Sequence, residues 1–220
     1  MHSAKDLPGE LPPGLAVVAV PPREDPRDVL VAPPGGLDGL PAGARVATGS
    51  PRRAAQILAV RPDLSIVAIR GNVGTRLEKL AAGEADALVL AAAGLRRLGL
   101  WPPGTAPLPV DVSTPAPGQG LLAVEGRAGD PEAAAAAAAL DDPAAAACLA
   151  AERAFLAALG GGCMRPVGAL CERVGDVLRI RAFAAPEGGG RAERTVREGP
   201  PGDPAGLGRE AAAALSAVPR

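Results

Sequence analysis

The sequence predicts an α/β fold followed by a small α+β unit. Three observations carry that expectation: strand-like and helix-like stretches alternate from residue 43 to 100, two proline-rich stretches interrupt this rhythm on either side, and the C-terminal part combines alanine-rich helices with strands around glycine turns. With 220 residues, 48% of them hydrophobic, the chain is long enough for one or two domains with real cores. No apolar run approaches the ~20 residues of a membrane span, and MHSAKDLPGE lacks the charged-then-apolar pattern of a secretory signal. The expected compartment is the cytoplasm, with no membrane partner.

In order along the chain, GLAVVAV (14–20) reads as a buried strand and PPREDPRDVLVAPPGG (21–36) as a proline-broken connection, a candidate domain boundary. Then come strand ARVAT, helix PRRAAQILAV, strand LSIVAI, helix VGTRLEKLAAGE, strand DALVLAA and helix GLRRLGL, an alternation that implies a parallel sheet with right-handed crossovers. WPPGTAPLPVDVSTPAPG (101–118) is a second irregular connection, and LLAVEG (121–126) a short strand beyond it. PEAAAAAAAL (131–140) and PAAAACLAAERAFLAAL (143–159) are strong helix formers, each opened by proline after aspartate. CERVGDVLRIRAFAA and RAERTVREG read as a strand pair around a glycine-rich turn, and GLGREAAAALSAV as a last helix.

Composition narrows the chemistry. A net charge of −1, no tyrosine, two phenylalanines and one tryptophan give neither a basic field nor stacking platforms for nucleic acid. Three cysteines, Cys148, Cys163 and Cys171, are too few for a disulfide framework and lack the spacing of a metal pair, so no metal is expected. Of 23 basic residues only Lys5 and Lys79 are lysines; the arginine excess fits either bidentate carboxylate recognition or codon bias, and position has to decide.

TGSPRRAAQ (48–56) follows a strand and opens a helix, so Ser50, Arg52, Arg53 and the free N–H groups of the first turn converge where anions bind. RGNVGTR (70–76) repeats the arrangement one unit later, and Arg70, Arg76 and Arg97 are expected to share a crevice at the carboxyl ends of the strands. The expected ligand is a polycarboxylate or a phosphate; no GxxxxGK[ST] phosphate loop is present. HSAKDLP (2–8) gathers Ser3, Lys5 and Asp6 around the sole histidine, which has no visible triad partner; Asp6 offers a carboxylate for stabilising a cation. Cys148 and Cys171 read as small buried hydrophobes, whereas Cys163, after three glycines, suits a covalent attachment point.

Taken in order, HSAKDLP, TGSPRRAAQ, RGNVGTRLEKL, DALVLAAAGLRRLGL, PAPGQG and ERAFLAALGGGCMRPVGA resemble the porphobilinogen deaminase (hydroxymethylbilane synthase) family over essentially the whole chain. The resemblance implies a transferase of porphyrin, tetrapyrrole and heme biosynthesis. It would add four porphobilinogens head to tail, lose ammonia each time, and release hydroxymethylbilane. It also implies a dipyrromethane cofactor made from the substrate and joined by a thioether to Cys163. Lys5, Ser3, Ser50, Arg52 and Arg53 would contact that cofactor, and Arg70, Arg76 and Arg97 would hold substrate carboxylates. Asp6 would hydrogen-bond pyrrole N–H groups and stabilise the cationic azafulvene left by loss of ammonia. Neither metal nor nucleotide is implied, and the family is monomeric.

The implied fold is a periplasmic-binding-protein-like two-domain cleft plus a small α+β C-terminal domain. Residues 1–21 and 115–140 would belong to domain one, 22–114 to the α/β domain two, and 141–220 to the cofactor-bearing domain three. Family members carry a further segment before the HSxKD motif, so the resemblance also implies a truncated first domain, through a misplaced start, a split partner chain or gene decay. Two other readings use the same residues: a non-catalytic anion-binding module, which gives Cys163 no role, and an inactive remnant.

Overall fold

The computed structural model describes residues 1–160, 166–186 and 191–215. The chain opens with β1 (His2–Ser3) and a 3-10 turn over Ala4–Asp6, followed by β2 (Leu15–Ala19) and β3 (Asp28–Val31). β4 (Arg45–Ala47), α1 (Pro51–Val60), β5 (Ser65–Val67), α2 (Val73–Ala81), β6 (Ala87–Ala91) and α3 (Ala92–Arg97) then alternate as the hydrophobic rhythm predicts. β7 (Thr105–Pro107), β8 (Leu122–Arg127), α4 (Pro131–Ala137) and α5 (Pro143–Ala158) lead to β9 (Val167–Val174), β10 (Val177–Ala184), β11 (Glu193–Gly199) and α6 (Pro204–Ala213). Helices α1, α4, α5 and α6 each start with proline after a side chain, Ser50, Asp130, Asp142 or Asp203, that accepts a first-turn N–H. No single helix among the described residues is long and apolar enough to cross a membrane.

The described strands form three sheets, ordered β1-β8-β2, β5-β4-β6-β3-β7 and β11-β10-β9. In the five-stranded sheet alternate residues serve opposite faces: Leu30, Val46 and Val89 pack with Ile57 of α1, while Val29, Val31 and Leu88 pack with Leu95 of α3. Both faces are therefore covered, which is why ALVLA of β6 and VLV of β3 are unbroken apolar runs.

Here the structure corrects the sequence reading. β3 lies inside the stretch 21–36 expected to be a connection, and all four of its residues are buried. It runs antiparallel between β6 and β7, so the sheet is mixed; β4 is parallel to β5 and β6 as expected. Four residues buried on both faces leave no alternation to detect, and the flanking prolines read as breakers. β7, only three residues long and not buried, lies within the second proline-rich stretch expected to be a connection, and its Pro107 is tolerated because β7 pairs on one side only. β2 is an edge strand with an irregular register between Val17 and Ala19, and only Ala19 within it is buried. The stretch expected as one strand from Cys171 is a hairpin: β9 and β10 pair in register around Gly175, at φ +58°.

The third sheet packs on α5 and α6 through Phe155, Leu178, Ile180, Leu207 and Leu215. Gly208 of α6 lies against the Ala151 carbonyl of α5, where any side chain would overlap it. Cys148 and Cys171 are buried in this core, as their surroundings predict.

Candidate active site

The loop of PAPGQG, residues 115–120, touches almost every element that builds the site. Pro115 O accepts from Ala169 N of β9 at 2.9 Å, and Gly118 N donates to Glu152 Oε2 of α5 at 2.6 Å. Gly120 O accepts from Glu24 N at 3.1 Å and from Arg97 Nη2 of α3 at 2.8 Å. Gly118 sits at φ +77°, and a Cβ there would come within 2.8 Å of Ala4 C and 2.9 Å of Lys5 N. Glycine lets this loop lie flush against the HSAKD turn and so fixes where Lys5 and Asp6 stand.

Between that turn, the loop and the start of α1 is a cavity of about 200 Å³. Its polar lining is Lys5, Asp6, Ser50, Arg52, Arg53 and Gln119; Leu156 of α5 and Val167, the first residue of β9, also line it. Leu156 and Val167 flank the segment 161–165 in sequence. Cys163, the expected attachment point, lies outside the described residues.

The arginines are anchored by a residue the sequence reading did not single out. Asp28, fully buried at the start of β3, accepts from Arg52 Nη1 at 2.7 Å, and from Arg53 Nε at 2.9 Å and Nη2 at 2.7 Å. Ser113 Oγ, at 2.7 Å, and Gln119 Nε2, at 2.9 Å, complete its shell. Burial alone would raise the Asp28 carboxyl, but the charges of Arg52 and Arg53 hold it far below the usual carboxylate range. Two guanidiniums on one carboxylate leave a net positive charge beside the cavity. Gln56 fixes the same corner, accepting from Thr114 N at 2.8 Å and donating to Thr114 O at 3.1 Å.

Lys5 adds a further cation. Burial, followed by repulsion from Arg53, draws it down to about 8 against the opposing pull of Asp6 and Asp28. Asp6 is exposed, and its carboxylate has no hydrogen-bond partner among the described residues. Ser50 caps α1, its hydroxyl oxygen accepting from Arg53 N at 3.5 Å.

The other expected site residues lie outside the cavity lining. Ser3 ends β1, half-buried, without a side-chain cap bond. Arg70 is exposed on the turn after β5; Arg76 is half-buried, and its Nε closes that turn on Gly71 O at 2.8 Å. Arg97, through Gly120 O, is one residue from the cavity wall. Arg52 and Arg53 were expected as forks turned to a ligand at the helix start; both are buried, with donors committed to Asp28. Asp28 had one signal in the sequence, an acidic residue opening the apolar run DVLV, and Gln119 was visible only inside PAPGQG.

The family model described as porphobilinogen deaminase, dipyromethane cofactor binding domain matches residues 1–135, and that described as porphobilinogen deaminase, C-terminal domain matches residues 146–217. The chain belongs to the porphobilinogen deaminase family. The porphobilinogen deaminases of Roseiflexus sp. (strain RS-1) and Roseiflexus castenholzii are 54% and 55% identical to it over 209 residues, 94% of this chain and 69% of each relative. That of Rubrobacter xylanophilus is 51% identical over 190 residues, 86% of this chain and 62% of its own length. In this chain the cavity lies where the two matched portions meet: Leu156 and Val167 come from the second, and all its polar lining from the first.

Proposed function

We propose that this cavity carries the reaction of the family: the stepwise joining of four porphobilinogen molecules, with release of ammonia, into hydroxymethylbilane on a primer held by Cys163. The observation that carries the reading is the cavity lining, in which Lys5, Arg52 and Arg53 stand beside the carboxylate of Asp6. That set suits a dipyrromethane, whose acetate and propionate arms need cationic donors and whose ring N–H groups need an acceptor. When bound through a thioether to Cys163, this group supplies the nucleophilic pyrrole carbon and tethers the growing chain.

The residues of the chain do the rest. Arg52 and Arg53, held by Asp28, present a preset positive face to the carboxylate arms, so little side-chain freedom is lost on binding. Lys5 extends that face, and Ser3, at the end of β1, contacts the arms beside it. Asp6 accepts from pyrrole N–H groups and opposes the positive charge that develops on the ring as ammonia leaves porphobilinogen; a preorganised charge of this kind is worth about 3–4 kcal/mol of barrier. Arg70, Arg76 and Arg97 take the carboxylates of incoming substrate.

We further place residues 22–114 in one lobe of a periplasmic-binding-protein-like cleft, 1–21 and 115–140 in the other, and 141–220 in the unit that bears Cys163. Sheet membership supports the division, since β3 to β7 fall within the first range, β1, β2 and β8 within the second, and β9 to β11 within the third. The chain is read as a cytoplasmic monomer acting without nucleic acid or membrane. The test is turnover: the chain should consume porphobilinogen, release ammonia and yield hydroxymethylbilane, and Asp6→Ala should abolish this while leaving the Cys163-linked group attached. Normal turnover in that variant would remove the role given to Asp6.

A further inference from the structure

One cross-strand row of the third sheet rests on the segment that leads into the site. Gly168 of β9, Phe183 of β10 and Arg194 of β11 stand opposite one another. A Cβ at Gly168 would come within 2.7 Å of Thr114 O and 2.9 Å of Pro115 O, so β9 lies flush against that segment. Phe183 is fully buried, with the Arg194 guanidinium over its ring at 4.9 Å. On the same face, Arg179 and Arg181 pair with Glu198 and Glu172 of the neighbouring strands. Arg194 directs its fork to neutral acceptors instead: Nη1 donates to Thr114 Oγ1 at 2.8 Å and Nη2 to Val112 O at 3.3 Å.

Thr114 is therefore held from two sides. Its carbonyl accepts from Arg52 Nη1 and Gln56 Nε2 and its N–H donates to Gln56 Oε1, all from α1, while its hydroxyl takes Arg194. Helix α1 brings Arg52 and Arg53 to the cavity, and Val167, next to Gly168, forms another part of its wall. Thr114 is thus an anchor shared by both. A planar guanidinium, stacked on a ring and donating along one edge, sets distance and angle together, which a flexible ammonium does not.

Resting on the function proposed above, we propose that Arg194 is a positioning residue for this site. Acting through Thr114, it fixes the sheet that follows Cys163 against the helix that carries Arg52 and Arg53, and so sets the place of the primer before the cationic face.

The test uses the full chain with Arg194→Met, which keeps an apolar cover on Phe183 and removes the donors, with Thr114→Val, which removes the acceptor and keeps the shape, and with both together. Turnover of porphobilinogen per primer-bearing chain, counted by intact mass, should fall about 5- to 10-fold in each single variant, the value of one net hydrogen bond, with KM almost unchanged. The double variant should fall no further, because both changes break one contact. Independently of turnover, the Lys5 midpoint of about 8, read by carbon-13 NMR of labelled lysine, should rise in all three as the cavity loosens and burial of the ammonium eases. Arg194→Lys, with one donor left, should recover part of both readouts. A merely structural role would lower the melting temperature alone. An unchanged kcat per loaded chain, an unmoved Lys5 midpoint, or losses that multiply in the double variant would each overturn the inference. A wild-type chain without turnover removes the function proposed above, and the Lys5 midpoint then decides: an equal rise in the single and double variants supports the role of Arg194, and an unmoved midpoint overturns it. Should Thr114→Val not fold, Arg194→Met and Arg194→Lys decide by the same two readouts.

Discussion

Glu152 accepts the amide hydrogen of Gly118 at 2.6 Å, tying the glycine loop of the site to helix α5. The same buried carboxylate takes Arg23 Nη1 at 2.6 Å and Cys171 N at 2.7 Å, so a loop, a helix, a connection and a strand meet on one side chain. Glu152→Ala would leave Arg23 buried without its counter-ion and two N–H groups without an acceptor. Urea unfolding should show a loss of about 3–5 kcal/mol, with a smaller loss for Glu152→Gln, which keeps one acceptor oxygen.

Asp28 gives the fold an acid limit. Its carboxyl is held far below the value it takes in the unfolded chain, near 3.9, so below that pH the unfolded state binds the extra proton. The stability it contributes is complete above about pH 4 and is lost as pH falls toward the folded value, at no more than about 1.4 kcal/mol per pH unit. Asp28→Asn should be less stable near neutrality and should have a shallower decline between about pH 4 and 2, measured by urea melts across that range.

Lys5 should titrate in an accessible range. Only Lys5 and Lys79 are lysines, so carbon-13 labelling of lysine gives two side-chain signals, assigned with Lys79→Arg. One should show a midpoint near 8. Because the folded value lies below the unfolded one, the cost of holding the ammonium is present in full below about pH 8 and is relieved as pH rises toward about 10.4. Asp28→Asn should lower the midpoint, since the Asp28 charge raises it, and a bound polycarboxylate should raise it.

Gly118→Ala should damage the site through the backbone. The new Cβ would meet Ala4 C and Lys5 N below van der Waals distance, at a φ of +77° that alanine rarely adopts. Expected are a stability loss of about 1–3 kcal/mol and displacement of the HSAKD turn. A wild-type melting curve together with an unmoved Lys5 midpoint would contradict it.

Much of this was legible in the sequence, and what was not has physical causes. The alternation from β4 to α3 was read because apolar stretches recur between turns and because α1 and α2 begin at recognisable caps, Ser50 and Asn72. β3 escaped because four residues buried on both faces carry no period, and the β9–β10 turn because a single glycine marks it. TGSPRRAAQ located the cations, but not that Asp28, more than twenty residues earlier, neutralises part of their charge; pairing across that distance is tertiary and leaves no local pattern. Gln119 drew attention only as part of a motif, since its place in the shell of Asp28 is a property of the packed state.

The central claim, that Cys163 carries the primer beside the Lys5–Asp6–Arg52–Arg53 cavity, is tested most directly by the intact mass of the chain purified from cells that make porphobilinogen, measured beside its Cys163→Ala variant. The account predicts a mass increment equal to two linked pyrrole units on the chain with Cys163 and none on the variant. An unmodified mass for both, or an equal increment on both, would contradict it.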